Sequence, residues 1–225
     1  MNTLPKPPLL MVDVVLMALV DGALHVGLAR RANPDEPFFG AWALPGGFVR
    51  PQDDQSAEDT ARRVLRDKAG VASPYLEQLY TFAGATRDAR GWSASIVYYA
   101  LVPAHVAPPG SEAFRWEPVD TVRELPFDHG RILATALERV RSKTSYSALP
   151  LYLAPAEVTM SQLRTIYEQV LGGTLEPRGF ERRMVEMDIL EPTGRLQSAG
   201  GKPAKVYRQV SGRGSAQLGP SLLPR

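Results

Sequence analysis

Apolar positions along the chain change their period several times, and each change predicts an element. Residues 11–20 are nearly all apolar, Asp21-Gly22 supplies a turn, and Leu24, Val26 and Leu28 alternate on the return, so 11–31 is predicted to be a hairpin. Residues 32–41, punctuated by Pro and Gly, form a loop leading to the glycine-rich run 42–49. Ala57, Ala61, Val64, Leu65 and Ala69 then recur at helical spacing. Ser56 opens that helix as an N-cap with an acid three residues on, and Gly70 stops it. Strands are predicted at 76–82, 93–102 and 114–119, and Ile132, Leu133, Ala136, Leu137 and Val140 place a helix over 128–143.

Residues 144–150, TSYSALP, read as a linker to a smaller second unit. There Thr159 caps a helix carrying Leu163, Ile166, Tyr167, Val170 and Leu171, which Gly172-Gly173 ends. Pro177 opens another helix, with Phe180, Met184, Met187 and Leu190 inward and Arg178, Arg182 and Arg183 on its other side. A glycine-containing loop, 191–194, and a strand at 204–210 complete a helix, turn, basic helix and hairpin. That order describes a winged helix-turn-helix, whose second helix enters the DNA major groove. The alternative for Arg182 and Arg183 is a solvated face balanced by Glu181, Glu186 and Asp188. Residues 211–225 have the composition of a disordered tail.

Composition narrows the setting. With 225 residues and 44% hydrophobic content, one large domain or two small ones are expected. The chain has no cysteine, which excludes disulfides, thiolate metal sites and a cysteine nucleophile. Its first residues, MNTLPKPP, lack the regions of a signal peptide, and the apolar run 9–20 is broken by Asp13 and too short to span a bilayer, so a cytoplasmic protein without a membrane partner is expected. The net charge of +2 hides an asymmetry: beyond Glu191 there is no acid, while Arg195, Lys202, Lys205, Arg208, Arg213 and Arg225 follow. A basic end on a neutral body suggests a polyanion partner or a solvated tail.

The run 46–71, GGFVRPQDDQSAEDTARRVLRDKAGV, carries the candidate chemistry. It resembles the Nudix box, G-x5-E-x7-R-E-U-x-E-E-x-G-U with U aliphatic. Counted back from Gly70, Arg63 is the box arginine and Leu65 the aliphatic position, but the three helix glutamates fall on Val64, Asp67 and Lys68. These positions share one helix face. Mg²⁺ requires oxygen ligands, and a valine, one carboxylate and an ammonium do not make a cage for it. From Gly47 to Gly70 the run is also two residues longer than the box, so the earlier glutamate falls on Asp53 counted forward and on Gln55 counted backward. No metal and no cofactor are expected, with Asp53, Glu58 and Asp67 as residual metal candidates and Mg²⁺ needed only if hydrolysis persists.

A degenerate box followed by a basic winged helix resembles the Nudix-related transcriptional regulators of NAD metabolism. Tyr80-Thr81-Phe82, Arg87-Asp88-x-Arg90-Gly91-Trp92, Phe127-Asp128-His129, Phe180-x-Arg182-Arg183-Met184 and Tyr207-Arg208 carry the resemblance. Gly179 and Glu181 depart from it, which bears on the operator sequence. The resemblance implies an α/β protein: a Nudix α/β/α sandwich followed by a small winged helix-turn-helix domain. The expected boundaries are 1–143 for a ligand-sensing domain, 150–210 for a DNA-binding domain and 211–225 for the tail. It implies a repressor that senses ADP-ribose or a related nucleotide, binds a double-stranded operator and forms a homodimer. The alternative is a Nudix hydrolase of the ADP-ribose pyrophosphatase type with a C-terminal dimerisation domain. The expected ligand-binding residues are Arg31, Trp42, Gly46, Gly47, Phe48, Arg87 and Arg90: glycine backbone that can approach phosphate, guanidinium groups for bidentate contacts, and rings for stacking. Arg30 and Arg31 are expected to face opposite ways. DNA binding is expected of Arg178, Arg182, Arg183, Lys202 and Lys205.

Overall fold

The computed structural model describes residues 7–72, 75–198 and 203–210. Lys202 and the tail 211–225 lie outside the described residues. The first hairpin joins β1 (Leu9–Val20) to β2 (Ala23–Arg30). Its turn holds Asp21 at φ 49° and Gly22 at φ 76°. Two successive positive φ values make the type I′ turn whose twist suits a hairpin, and glycine takes the second without a steric cost. β1 is buried from Met11 to Leu19, as its unbroken apolar sequence requires of a strand covered on both faces.

Five further strands complete a seven-stranded sheet: β3 (Trp42–Ala43), β4 (Gly46–Phe48), β5 (Tyr75–Gly84), β6 (Ser93–Val102) and β7 (Phe114–Pro118). The order is β3-β2-β1-β6-β5, with β4 on β1 and β7 on β2. Helix α1 (Ala57–Ala69) buries Thr60, Ala61, Val64, Leu65 and Ala69. Ser56 caps it by accepting the Asp59 N–H at 3.1 Å, and Gly70 closes it in the left-handed conformation. Helix α2 (His129–Thr144) places Ile132 and Ala136 in the core.

The chain divides into two compact units, one of Met1–Met17, His25–Val102 and Ala107–Ala136, the other of Ala18–Leu24, Pro103–Val106 and Leu137–Arg225. In the second, β8 (Glu157–Thr159) precedes α3 (Met160–Leu171), α4 (Pro177–Glu186), β9 (Leu190–Gln197) and β10 (Ala204–Gln209), and the sheet order is β8-β10-β9. Thr159 and Gln162 form a reciprocal capping box at the start of α3. Tyr167, Leu163, Phe180, Met184 and Ile189 form the centre of this unit's core.

Two sequence expectations change here. Residues 144–150 are no free linker: Thr144, Ser147, Ala148, Leu149 and Pro150 are buried, and Leu149–Leu153 forms a 3₁₀ turn. The Ser and Thr of TSYSALP suggest solvent, but the leucines after them join the core, and the buried Tyr167 hydroxyl donates to the Ser147 carbonyl at 3.2 Å. The expected loop 191–194 is part of β9. Lys205 lies opposite Leu196 while Tyr207 lies opposite Pro192, so β9 bulges around Gly194, whose φ is 77°. An edge strand tolerates Pro192, which has no N–H to offer.

Candidate functional site

A cavity of about 490 Å³ opens in the first unit, between the N-terminal part of β1, the end of β2, the β4 loop, one face of α1 and the segment around Arg87. Its buried centre is Asp13, on β1. The Ser95 hydroxyl donates to the Asp13 carboxylate at 2.6 Å, and Arg87 and His129 each approach it at 3.7 Å. A side chain at Gly46 would meet the same carboxylate: an added Cβ would stand 2.1 Å from Asp13 Oδ1. The glycine is required here by close approach. β4 pairs with β1 at Met11↔Phe48, Val12↔Gly47 and Asp13↔Gly46. With Val14 N–H bonded to Pro45 and Val49 N–H to Leu10, alternation directs the Gly47 N–H at β1 and the Gly46 N–H away from it. The sequence offered both glycines to phosphate; the register reserves one of them for the sheet.

His129 begins α2 in full burial. The Leu44 N–H donates to its Nδ1 at 3.1 Å, so that nitrogen carries no proton and Nε2–H faces Asp13. Burial pushes its pKa below the usual histidine range, against the opposing pull of Asp13 and Asp128. The imidazole is therefore neutral at pH 7.

The cavity's cations are mostly paired. Arg87 makes a two-pronged pair with Asp128, at 3.1 and 2.8 Å, and Arg90 a similar pair with Asp88, at 3.0 and 2.8 Å. The hydrogen bonds from Arg90 hold the Asp88 carboxyl below the usual carboxylate range despite its burial. Arg31 donates to Glu36 at 2.8 Å and to the Pro37 carbonyl at 2.7 Å. Its guanidinium lies 5.0 Å over the Phe127 ring, and Arg90 lies 5.0 Å over Phe48. Phe127 in turn meets Phe38 edge-on at 4.8 Å, with both residues at positive φ, 57° and 60°.

Of the expected ligand-binding residues, the structure gathers Arg31, Gly46, Gly47, Phe48, Arg87 and Arg90 around one cavity. Trp42 is elsewhere. On β3 alternation turns Ala43 to the cavity, and Trp42 stacks under the Arg115 guanidinium at 4.6 Å. Arg30 and Arg31 both line the cavity, because Arg31 is already past the end of β2 and strand alternation no longer governs it. Asp13, His129, Phe127 and Glu36 are lining residues that the sequence reading did not select. Asp13 carried a signal as a charge inside an apolar strand, and Phe127 and His129 as part of the run Phe127-Asp128-His129 that carries the resemblance.

The box helix presents Val64, Asp67 and Lys68 to the same cavity. Val64 is buried, and an added Cβ on Gly47 would stand 3.2 Å from it. Asp53 and Glu58 do not line the cavity; Glu58 pairs with Arg62 at 2.6 Å on the exposed side. The ambiguity over the earlier box carboxylate resolves onto Asp54, which neither direction of counting selected. Asp54 accepts from Arg63 at 2.9 and 2.6 Å, from the Thr60 hydroxyl at 2.8 Å and from the Arg50 N–H at 2.9 Å. The Arg63 guanidinium holds its carboxyl well below the usual range. That carboxylate is committed to the loop. Among the described residues no three His, Cys, Asp or Glu converge as metal ligands. The donor set does not fit a divalent cation.

In the second unit, Arg178 and Arg182 are exposed on α4 and Arg183 is half-buried. Glu176 caps α4, accepting the Arg178 N–H at 2.9 Å and also the Gly179 N–H, which holds its carboxyl below the usual range. Arg182 approaches Glu186 at 3.8 Å, with both side chains largely in water. The Arg183 Nη1 is sealed from solvent without a hydrogen-bond partner among the described residues. Lys205 is exposed on β10. Arg195 pairs with Glu157, and Arg208 with Glu191 at 2.6 Å. No helix among the described residues is long and apolar enough to cross a membrane.

Known proteins share both halves of this arrangement. The NUDIX domain family matches residues 10–138, and the NrtR DNA-binding winged helix domain matches residues 150–209. The chain is 39% identical over 206 residues to the ADPR responsive transcriptional repressor NtrR of Acinetobacter baylyi, covering 89% of this chain and 82% of that protein. It is similar to the crystal structure of Shewanella oneidensis NrtR complexed with a 27mer DNA, with a TM-score of 0.88 and 34% identity, over 95% of this chain and 99% of that one. The NUDIX domain of Shewanella oneidensis NrtR complexed with ADP ribose matches at 40% identity and a TM-score of 0.54, over 61% of this chain and 94% of that one.

Proposed function

Since the chain belongs to the Nudix family, in the group that carries an NrtR-type winged helix, we propose that it is an ADP-ribose-responsive transcriptional repressor. Its Nudix domain takes the nucleotide and its winged helix takes a double-stranded operator. The observation that carries this reading is the cavity itself, which keeps arginines and a glycine loop for a diphosphate while Val64 and Lys68 replace metal ligands. The protein works without a metal or other cofactor and does not turn over its effector. It binds its operator as a homodimer, because a two-fold protein matches a palindrome with half-sites about 10 base pairs, or a multiple, apart. Residues 1–143 form the sensing part and 150–210 the reading part.

The reading is tested by gel shift of the full chain on DNA upstream of its own gene, with and without ADP-ribose. A complex that ADP-ribose weakens or strengthens by roughly 5- to 150-fold, the usual range of coupling between sites, supports it. An unchanged affinity leaves a DNA binder without a sensor. ADP-ribose hydrolysis with Mg²⁺ near the enzyme median of about 10 per second would instead support the hydrolase alternative.

A further inference from the structure

We propose that the Lys68 ammonium takes the place of the divalent cation and binds the diphosphate of the effector directly, so that effector binding requires no metal. The inference rests on the ADP-ribose reading above and adds the group that supplies the counter-charge. Val64, Asp67 and Lys68 stand at i, i+3 and i+4 of α1 and all line the cavity. Val64 is apolar and buried against the glycine loop, so this face offers Asp67 as its one carboxylate.

A diphosphate brings about two negative charges, and most cations near it are already neutralised. Arg31 is held by Glu36, Arg63 by Asp54, Arg87 by Asp128 and Arg90 by Asp88. Lys68, like the lining residues Arg30 and Arg50, has no ion pair among the described residues, and it alone of these three lies on the helix face that packs on Gly47. An ammonium is a compact point charge on a flexible stem with three donors, suited to bridging two phosphate oxygens without a fixed geometry. A bound cation at this face would meet that positive charge. The residue that expels the metal thus supplies its charge.

The test is calorimetric titration of ADP-ribose into the full chain, once in excess chelator and once in Mg²⁺, at fixed ionic strength. Wild-type affinity is expected to agree within about twofold between the two buffers. Lys68→Met, which keeps the stem and removes the charge, is expected to lose at least about tenfold in affinity, as a charge-assisted contact would. Lys68→Arg keeps most of the binding and shows that a lost charge, not a misfolded helix, is responsible. Val64→Glu with Lys68→Glu is expected to bind only when Mg²⁺ or Mn²⁺ is added. Wild-type binding that depends on Mg²⁺, or Lys68→Met binding like wild type, overturns the inference while leaving the sensor reading intact. No wild-type binding in either buffer overturns the sensor reading and this inference with it.

Discussion

Three arginines of the Nudix cavity and the exposed arginines of α4 are the same residue type held in opposite ways. In the cavity Arg31, Arg87 and Arg90 are each clamped by a carboxylate, two of them in two-pronged geometry, and Arg31 and Arg90 also lie on aromatic rings. On α4 Arg178 is exposed, and Arg182 is 78% exposed with a distant, water-screened partner. A clamped guanidinium has already lost its conformational freedom and presents its remaining N–H groups in a fixed place, which suits one ligand of fixed shape. A free one adapts to a long polyanion and releases counterions on contact. A small nucleotide calls for the first arrangement and a DNA groove for the second.

The comparison breaks most easily with salt. Between 50 and 200 mM, operator affinity is expected to fall on the order of a thousandfold, as for a protein meeting at least six phosphates. Effector affinity, set by partly enclosed groups, is expected to change less than tenfold; equal salt slopes in parallel titrations would erase the distinction. Next in size is Arg87→Ala, which leaves Asp128 and the buried Asp13 without their guanidinium. It is expected to cost about 3 kcal/mol in denaturant unfolding, as the loss of one partner from a buried pair does. Arg182→Ala, by contrast, is expected to change stability by less than about 0.5 kcal/mol and to weaken DNA binding roughly tenfold in gel shifts.

Arg183 sharpens the comparison, being neither clamped nor free. Arg183→Met is expected to stabilise the free protein by about 1 kcal/mol, because it removes a sealed donor without a partner among the described residues, and still to weaken operator binding. Melting curves and gel shifts on the same preparation check both halves. The last effect is that of pH. The folded-state pKa of His129 lies below the ordinary 6.5, so the unfolded chain binds more protons as the pH falls through 6.5. Stability is then lost on acidification, by at most about 1.4 kcal/mol per pH unit until the folded value is reached. Asp88, also depressed, adds a loss in the same direction only below about pH 4. A flat profile between pH 7 and 5.5 would show that His129 is not held neutral.

Elements with a strong local period were legible in the sequence: the first hairpin with its Asp-Gly turn, α1 between Ser56 and Gly70, and α3 between Thr159 and Gly172. What was not legible depended on partners distant in sequence. Asp54 falls on neither count of the box because counting fixes the loop length, whereas a carboxylate needs only to reach Arg63. His129 owes its state to Leu44, 85 residues away. Trp42 was selected for its ring, but the pairing of two-residue β3 with Arg30 decided its face. The leucines of 149–153 were hidden behind serine and threonine in a segment whose composition suggests solvent.

The pair Phe38 and Phe127 limits how this cavity can drift over generations. Each ring needs the other for its edge-on packing, and each backbone stands in a conformation that costs a bulky side chain about 1 kcal/mol or more. Glycine or asparagine at either position would relax the backbone but remove a ring, and for Phe127 that ring is the seat of Arg31. Single replacements therefore exchange one loss for another. Descendants should keep both aromatics or change both together, and a library varying the two positions jointly should be rich in two solutions, paired rings and paired small residues, with few sequences between them.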